Sequence, residues 1–215
     1  MKIFLVLFVM FFSVAVSNAE ERIALQGSGR VISEIREISD FSALEVHGAF
    51  TVELTTGKKV GCTIRGDDNI VKIVHTDVSG GRLRVFTTQS YISNSILHLL
   101  LTVPSLKEIT TSGANLVHAV IIKENTLSLH MDGSSTFAVE GQALQLNSVL
   151  AGGATLNADR LVAERVNIEI TGTGDANVHA TGTLNVVING VGSVRYLGKP
   201  VITRDIRGVG DVSPK

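Results

Sequence analysis

Near the end of the chain three phrases follow one another: ITGTGDANVHA at 170–180, INGVGSVRY at 188–196 and IRGVGDVSP at 206–214. Each sets an isoleucine two residues before a glycine, with a second glycine two residues after it. The pattern extends upstream. Gly133, Gly152, Gly172, Gly190 and Gly208 each follow an alternating, mostly apolar stretch by two residues, as Gly190 follows Leu184, Val186 and Ile188; Gly113 is a degenerate first member. The successive spacings are 20, 19, 20, 18 and 18 residues. Two residues on, the position is always small or turn-prone (Asn115, Ser135, Ala154, Gly174, Gly192 and Gly210).

Period-2 alternation over five residues reads as a strand with one buried face. Glycine between strands supplies turn geometry and lets neighbouring backbones approach closely. A period near 19 is too short for a propeller blade or a helical repeat, and no stretch between the strands is long enough for a helix. The expectation is therefore an all-β chain: a parallel β-helix, or solenoid, with coils of about 18–20 residues. The phrase recurs because every coil turns the same corner, which makes Gly113, Gly133, Gly152, Gly172, Gly190 and Gly208 the expected structural turn residues. Coiled throughout, the chain would hold roughly ten coils at ~4.8 Å each.

The first half is less regular. FSALEVHGAFTVELTTG and KVGCTIRGDDNIVKIVHTDVSGGRLRVFTTQ alternate, with turn signals at Gly48, Gly57, Asp67-Asp68 and Gly80-Gly81, and they also read as strands. RVISEIREISDF (30–41) fits an amphipathic helix through Val31, Ile35 and Ile38, or a β-rich lead-in. A solenoid needs covered ends, because an open strand edge invites aggregation. The last coil, with Arg204, Arg207, Pro214 and Lys215, suits that need at one end.

The chain opens with Lys2, an apolar run from Ile3 to Val16, and Ser17-Asn18-Ala19. This predicts a secretory signal peptide over 1–19, cut after Ala19, because the run is shorter than the ~20 residues that span a bilayer. Of 215 residues, loss of 19 leaves a single domain of 196 over 20–215, without a transmembrane span. The 19 basic residues lose Lys2, leaving 18 against 20 acidic ones, a balance that argues against nucleic acid as a partner. The mature domain has no Trp and few other aromatics, so Val, Ile, Leu and Ala must fill its core. Cys62 is the single cysteine, so no internal disulfide forms; in VGCTI it alternates with Val60 and Ile64 and is expected to be buried.

Several stretches carry a family likeness. GSGRVISEIREISDFSALEVHGAFTVELTTG, RGDDNIVKIVHTDVSGGRLRV, LTVPSLKEITTSGA and the closing GSVRYLGKPVITRDIRGVGDV resemble the putative auto-transporter adhesin, head GIN domain family over residues 27–214. The resemblance implies a right-handed parallel β-helix on an exported bacterial protein. Only Gly174-Asp175 and Gly210-Asp211 keep the acid of the family's Gly-Ser-Gly-Asp phrase. A translocating barrel would need about a dozen membrane strands of ~9–11 residues, for which the coils leave no room; export rests on the leader.

Chemical motifs are few. GTGDAN, GVGSVR and GVGDVS lack the third glycine and the following helix of a dinucleotide site. GSVRYLGKP has one residue too many for a P-loop, and Pro200 stands where a hydroxyl must hold magnesium. Calcium-binding solenoid repeats have half this period. The histidines His47, His75, His98, His118, His130 and His179 form no His-x-x-x-His pair, although His118 and His179 sit in similar NLVHA and ANVHA phrases. No catalytic, metal-binding or cofactor-binding residue is assigned. A polysaccharide-cleaving β-helix would draw on Asp67, Asp68, Asp159, Asp175 and Asp211; RGD at 65–67 reads as a turn, and Tyr91 and Tyr196 could each stack on a sugar. The reading that fits best is an exported, non-enzymatic binding module, adhesin-like or envelope-associated, whose partner is an envelope, surface or glycan ligand. The alternatives are a periplasmic envelope-stress or structural component and the polysaccharide-cleaving enzyme.

Overall fold

The structure, a computed structural model, describes residues 24–215; the leader expected over 1–19 lies outside them. The described chain is all-β apart from one short helix, Asp68–Val71. Fourteen strands form a single curled sheet, and Leu25–Gln26 pairs separately with Tyr91–Ile92. Among the described residues no helix is long and apolar enough to cross a membrane.

From Glu108 to Pro214 the strands pair with one another in parallel, and each paired residue meets its counterpart 17–20 positions away. Gly113 faces Gly133 and Gly133 faces Gly152; Asp175 faces Ser193, which faces Asp211. Strand runs such as Thr136–Ile170 continue through several units, and the ladder to the next run shifts register between Ala158 and Val162 and between Ala163 and Arg165. The alternating residues point inward as the pattern requires. Leu127, Leu129, Leu146, Leu150, Val166, Ile168, Leu184 and Val186 are all 2% exposed or less. They join Phe137, Ile109 and Leu44 in one continuous core.

The chain is not parallel throughout, as the solenoid expectation held; the sheet is mixed. Ala43–Gly48 and Thr51–Thr56 form the first unit of the stack, pairing directly with Glu108–Gly113 and Leu116–Val120. The residues between them leave the repeat. Val74–Ser79 and Arg82–Thr87 close a tight antiparallel hairpin, because Gly80 and Gly81 take φ of 58° and 75° and so supply the two-residue turn with the right twist. On the other side Gly61–Asp67 runs antiparallel to His98–Val103, and Val31–Ile35 antiparallel to Gly61–Asp67. The glycines at 48, 113, 133, 152, 172, 190 and 208 stack over one another in seven units, and not in about ten coils.

Within the lead-in at 30–41, Val31–Ile35 is a strand and no helix forms, the second of the two readings. Ile32 packs toward the core while Val31 and Ile35, which a helical face would have buried together, are 44% and 80% exposed. With the helix Asp68–Val71, which buries Ile70 and Val71, these strands cover the first end of the core.

Candidate binding surface

The glycines of the repeat stand directly over one another. A Cβ on Gly113 would lie 2.3 Å from the carbonyl oxygen of Gly48, and one on Gly133 2.5 Å from that of Gly113. The distance is 2.7 Å between Gly152 and Gly133 O and is shortest at the far end of the column, 2.0 Å between Gly190 and Gly172 O and 1.9 Å between Gly208 and Gly190 O. Gly48, Gly113, Gly133 and Gly152 also have positive φ, but Gly172, Gly190 and Gly208 do not. Close backbone approach is what the whole column shares.

At the base of this column the missing side chains leave space. Gly48, Ala49, Gly113 and Ala114 form one wall of an open groove of about 730 Å³, and the excursion Thr87–Leu97 forms the other. Phe50, Tyr91, Ile92, Ile96, Leu97 and Leu116 supply its apolar lining; Thr51, Thr87, Ser90 and Ser93 supply hydroxyls, and no charged side chain lines it. The Tyr91 hydroxyl donates to Ala49 O at 3.2 Å, which fixes the ring across the groove, and burial pushes its phenol above the ordinary value, so it stays neutral. Ile92, Ile96 and Leu116 are 59%, 63% and 51% exposed. Apolar side chains scattered singly over a surface are ordinary, but three around one concavity mark a contact surface.

The outward face near the first unit carries a charged network. Arg82 donates twice to Glu108, at 2.9 and 3.1 Å, and this pairing holds the Glu108 carboxyl below its ordinary range. His47 Nδ1 lies 2.6 Å from Ser112 Oγ, and its Nε2 lies 2.6 Å from Glu45 Oε1. This Ser–His–Glu chain lies on the outward face of the sheet, with the His47 side chain 41% exposed. Farther along, stacked amides replace charges: Asn185 donates to Asn167 and Asn167 to Asn147, each at 2.8 Å.

The acids considered for catalysis do not gather. Asp67 is 2% exposed at the covered end, where Ser93 donates to it at 2.8 Å. Its burial, and that of Gly66, removes the RGD tripeptide from recognition. Asp68 pairs with Arg30 and accepts from Ser28, which holds its carboxyl down at about 2. On the far units Asp159 pairs with Lys215 at 2.6 Å, and Asp175 accepts from the Ser193 hydroxyl at 2.5 Å. His118 aligns with Glu53 and Ala138, whereas His179 aligns with Val162 and Leu197, so the similar phrases do not bring the rings together. Among the described residues no group of three or more His, Cys, Asp or Glu side chains could hold a metal ion. Cys62 is buried, and desolvation pushes its thiol up to about 11. Tyr196 is partly buried against the core.

Neither the groove nor Gly48's place in the column was read from the sequence. Gly48 follows Leu44 and Val46 as Gly190 follows Val186 and Ile188, so the signal existed; the long interruption after Thr56 hid it.

A family model described as "Putative auto-transporter adhesin, head GIN domain" matches residues 40–125 and 113–200. Among solved structures, a putative adhesin from Bacteroides fragilis NCTC 9343 superposes with a TM-score of 0.75 at 22% identity, covering 89% of this chain and 100% of that one. A putative adhesin from Parabacteroides merdae ATCC 43184 gives 0.54 at 19% identity, covering 89% and 99%. At these identities the likeness is one of fold. No curated protein matches the chain.

Proposed function

The chain belongs to the putative auto-transporter adhesin, head GIN domain family, and from that premise we propose that it is an exported, non-enzymatic binding module for an envelope, surface or glycan ligand. The observation that carries this reading is the groove beside Gly48 and Gly113, where half-exposed Ile92, Ile96 and Leu116 surround an uncharged concavity. Such a lining suits an apolar moiety, the face of a sugar ring or the chain of a glycolipid, with the serine and threonine hydroxyls available to neighbouring polar groups. In this reading the leader is removed after Ala19, residues 20–215 form one domain, and the parallel units wind as a right-handed β-helix. The six column glycines have a structural role. The scattered acids support the non-enzymatic part, since acid–base cleavage needs two carboxyl groups flanking one bond.

The test is saturable binding of residues 20–215 to isolated envelope polysaccharide and glycolipid fractions. Filling the groove with Ala114→Phe should weaken binding about tenfold, the value of one lost apolar contact surface. Equal binding by the variant would remove the groove from the reading. Product release from acidic polysaccharides, abolished by Asp175→Ala, would make the protein an enzyme. Protease shaving of intact cells, with a periplasmic marker as control, decides the compartment. Loss of the protein while the marker survives favours surface adhesion, and protection favours a periplasmic envelope component.

A further inference from the structure

The strand Val201–Ile206 closes one limb of the sheet. It pairs with Thr183–Ile188 on one side, and no described strand pairs with its other side. All six of its residues are exposed. In a parallel ladder alternate residues direct both backbone groups to the same neighbour. Arg207 N donates to Ile188 O, so Thr203 and Asp205 spend their groups on the sheet, and Ile202, Arg204 and Ile206 aim theirs off the edge.

The same three residues continue the core rows: Ile202 aligns with Leu184, Arg204 with Val186 and Ile206 with Ile188, and those partners are at most 1% exposed. Ile202 and Ile206 are 37% and 36% exposed, half-covered core positions awaiting one more layer. Arg204 stands between them at the one inward position in this row that is charged, and among the described residues no carboxylate lies within ion-pair distance of it.

An inward charge on an edge strand disfavours pairing with an apolar strand or with an antiparallel copy of itself, which would set Arg204 against Arg204. It does not disfavour an acidic one. We propose that this edge accepts an extended segment of a partner protein, added as one further strand, with an Asp or Glu opposite Arg204 and apolar residues two positions before and after it. Main-chain bonds to Ile202, Arg204 and Ile206 hold the segment, the apolar pair covers the two isoleucines, and the carboxylate selects it. This surface lies on the final unit of the stack and is independent of the groove at its base.

The experiment titrates residues 20–215 with two seven-residue peptides, Thr-Val-Thr-Glu-Thr-Val-Thr and its relative with a central Lys. The acidic peptide should bind about tenfold tighter or more, the scale of one close charge pair at an interface. Arg204→Glu should reverse the preference. Arg204→Pro removes the outward N–H without touching an internal ladder bond, and should abolish binding of both peptides while leaving the far-ultraviolet circular dichroism spectrum unchanged. Failure of the acidic peptide to bind at millimolar concentration, or equal binding of both peptides, overturns the proposal. So does concentration-dependent self-association that Arg204→Pro abolishes, which would assign the edge to a second copy.

Discussion

The two halves of the sheet reach one core by different means. From Glu108 onward, identical units lie in register, and each glycine of the column is needed because its neighbour's carbonyl stands where a Cβ would go. Before that point, in the Gly80-Gly81 hairpin, the glycines face open space: nothing lies within 4 Å of a Cβ on either, and their positive φ is the constraint. The column is limited by crowding and this hairpin by torsion. Crowding is shared between units, so one side chain at a corner is felt by its neighbours; torsional strain in a hairpin stays local.

Replacing glycines in each half is the most severe way to break this comparison. Gly190→Val should cost about 4 kcal/mol or more, at the diagnostic end of single substitutions, because backbone on both sides must move. Thermal unfolding should show the loss, and Ser193→Ala in the same unit should stay within about 1 kcal/mol. Gly81→Ala should cost only about 1 kcal/mol, the left-handed penalty less the entropy gained in the unfolded chain. A Gly81 effect as large as that of Gly190 would end the distinction.

Acid should separate the halves more gently. Hydrogen bonds from Ser28 and Arg30 hold the Asp68 carboxyl at about 2, and Arg82 holds Glu108 below its usual range. Depressed folded values mean that the unfolded chain binds protons first. Their contribution is complete above the ordinary carboxylate range and is lost as pH falls from about 4 toward 2. Hydrogen exchange at pH 3 should therefore report opening of the covered end around residues 28–35 and 65–71 before the Asn147–Asn185 ladder, whose amides do not titrate. Simultaneous opening would show that the two ends share one cooperative unit.

The smallest effect belongs to Cys62. With its thiol pushed up to about 11 by burial, it should resist iodoacetamide at pH 8 until the irregular half unfolds. Because the folded chain favours the neutral thiol, stability should decline slightly as pH rises from about 9 to 11. Prompt labelling in the native state would place Cys62 nearer to solvent than its 2% exposure implies.

What could be read in advance follows the same division. The parallel register of the later units was legible because spacing, alternation and glycine all repeat, and a one-residue slip would turn Leu184 and Val186 outward. The hairpin's Gly80-Gly81 was legible as a turn, but not as a departure from parallel pairing, since alternation does not record strand direction. At 30–41 the i, i+4 pairing of Val31 and Ile35 competed with the alternation of Ile32 and Glu34, and tertiary pairing with Gly61–Asp67 decided for the strand. The groove was out of reach: its walls come from Gly48, Thr87–Leu97 and Gly113, and no local pattern connects them.

The seat of Gly48 beneath Gly113 sets the order in which the molecule can assemble. Units from Gly113 onward contact later partners 17–20 residues away, a short loop to close. The first unit must close a contact across 65 positions, as the pairing of Ser112 with His47 records. Loop closure grows only slowly with length, yet the intervening hairpins must be in place before the contact is rewarded. Nucleation therefore belongs to the later units, which arise last during synthesis. A nascent chain would hold the residues before Glu108 in waiting until the glycine column behind them had begun to form.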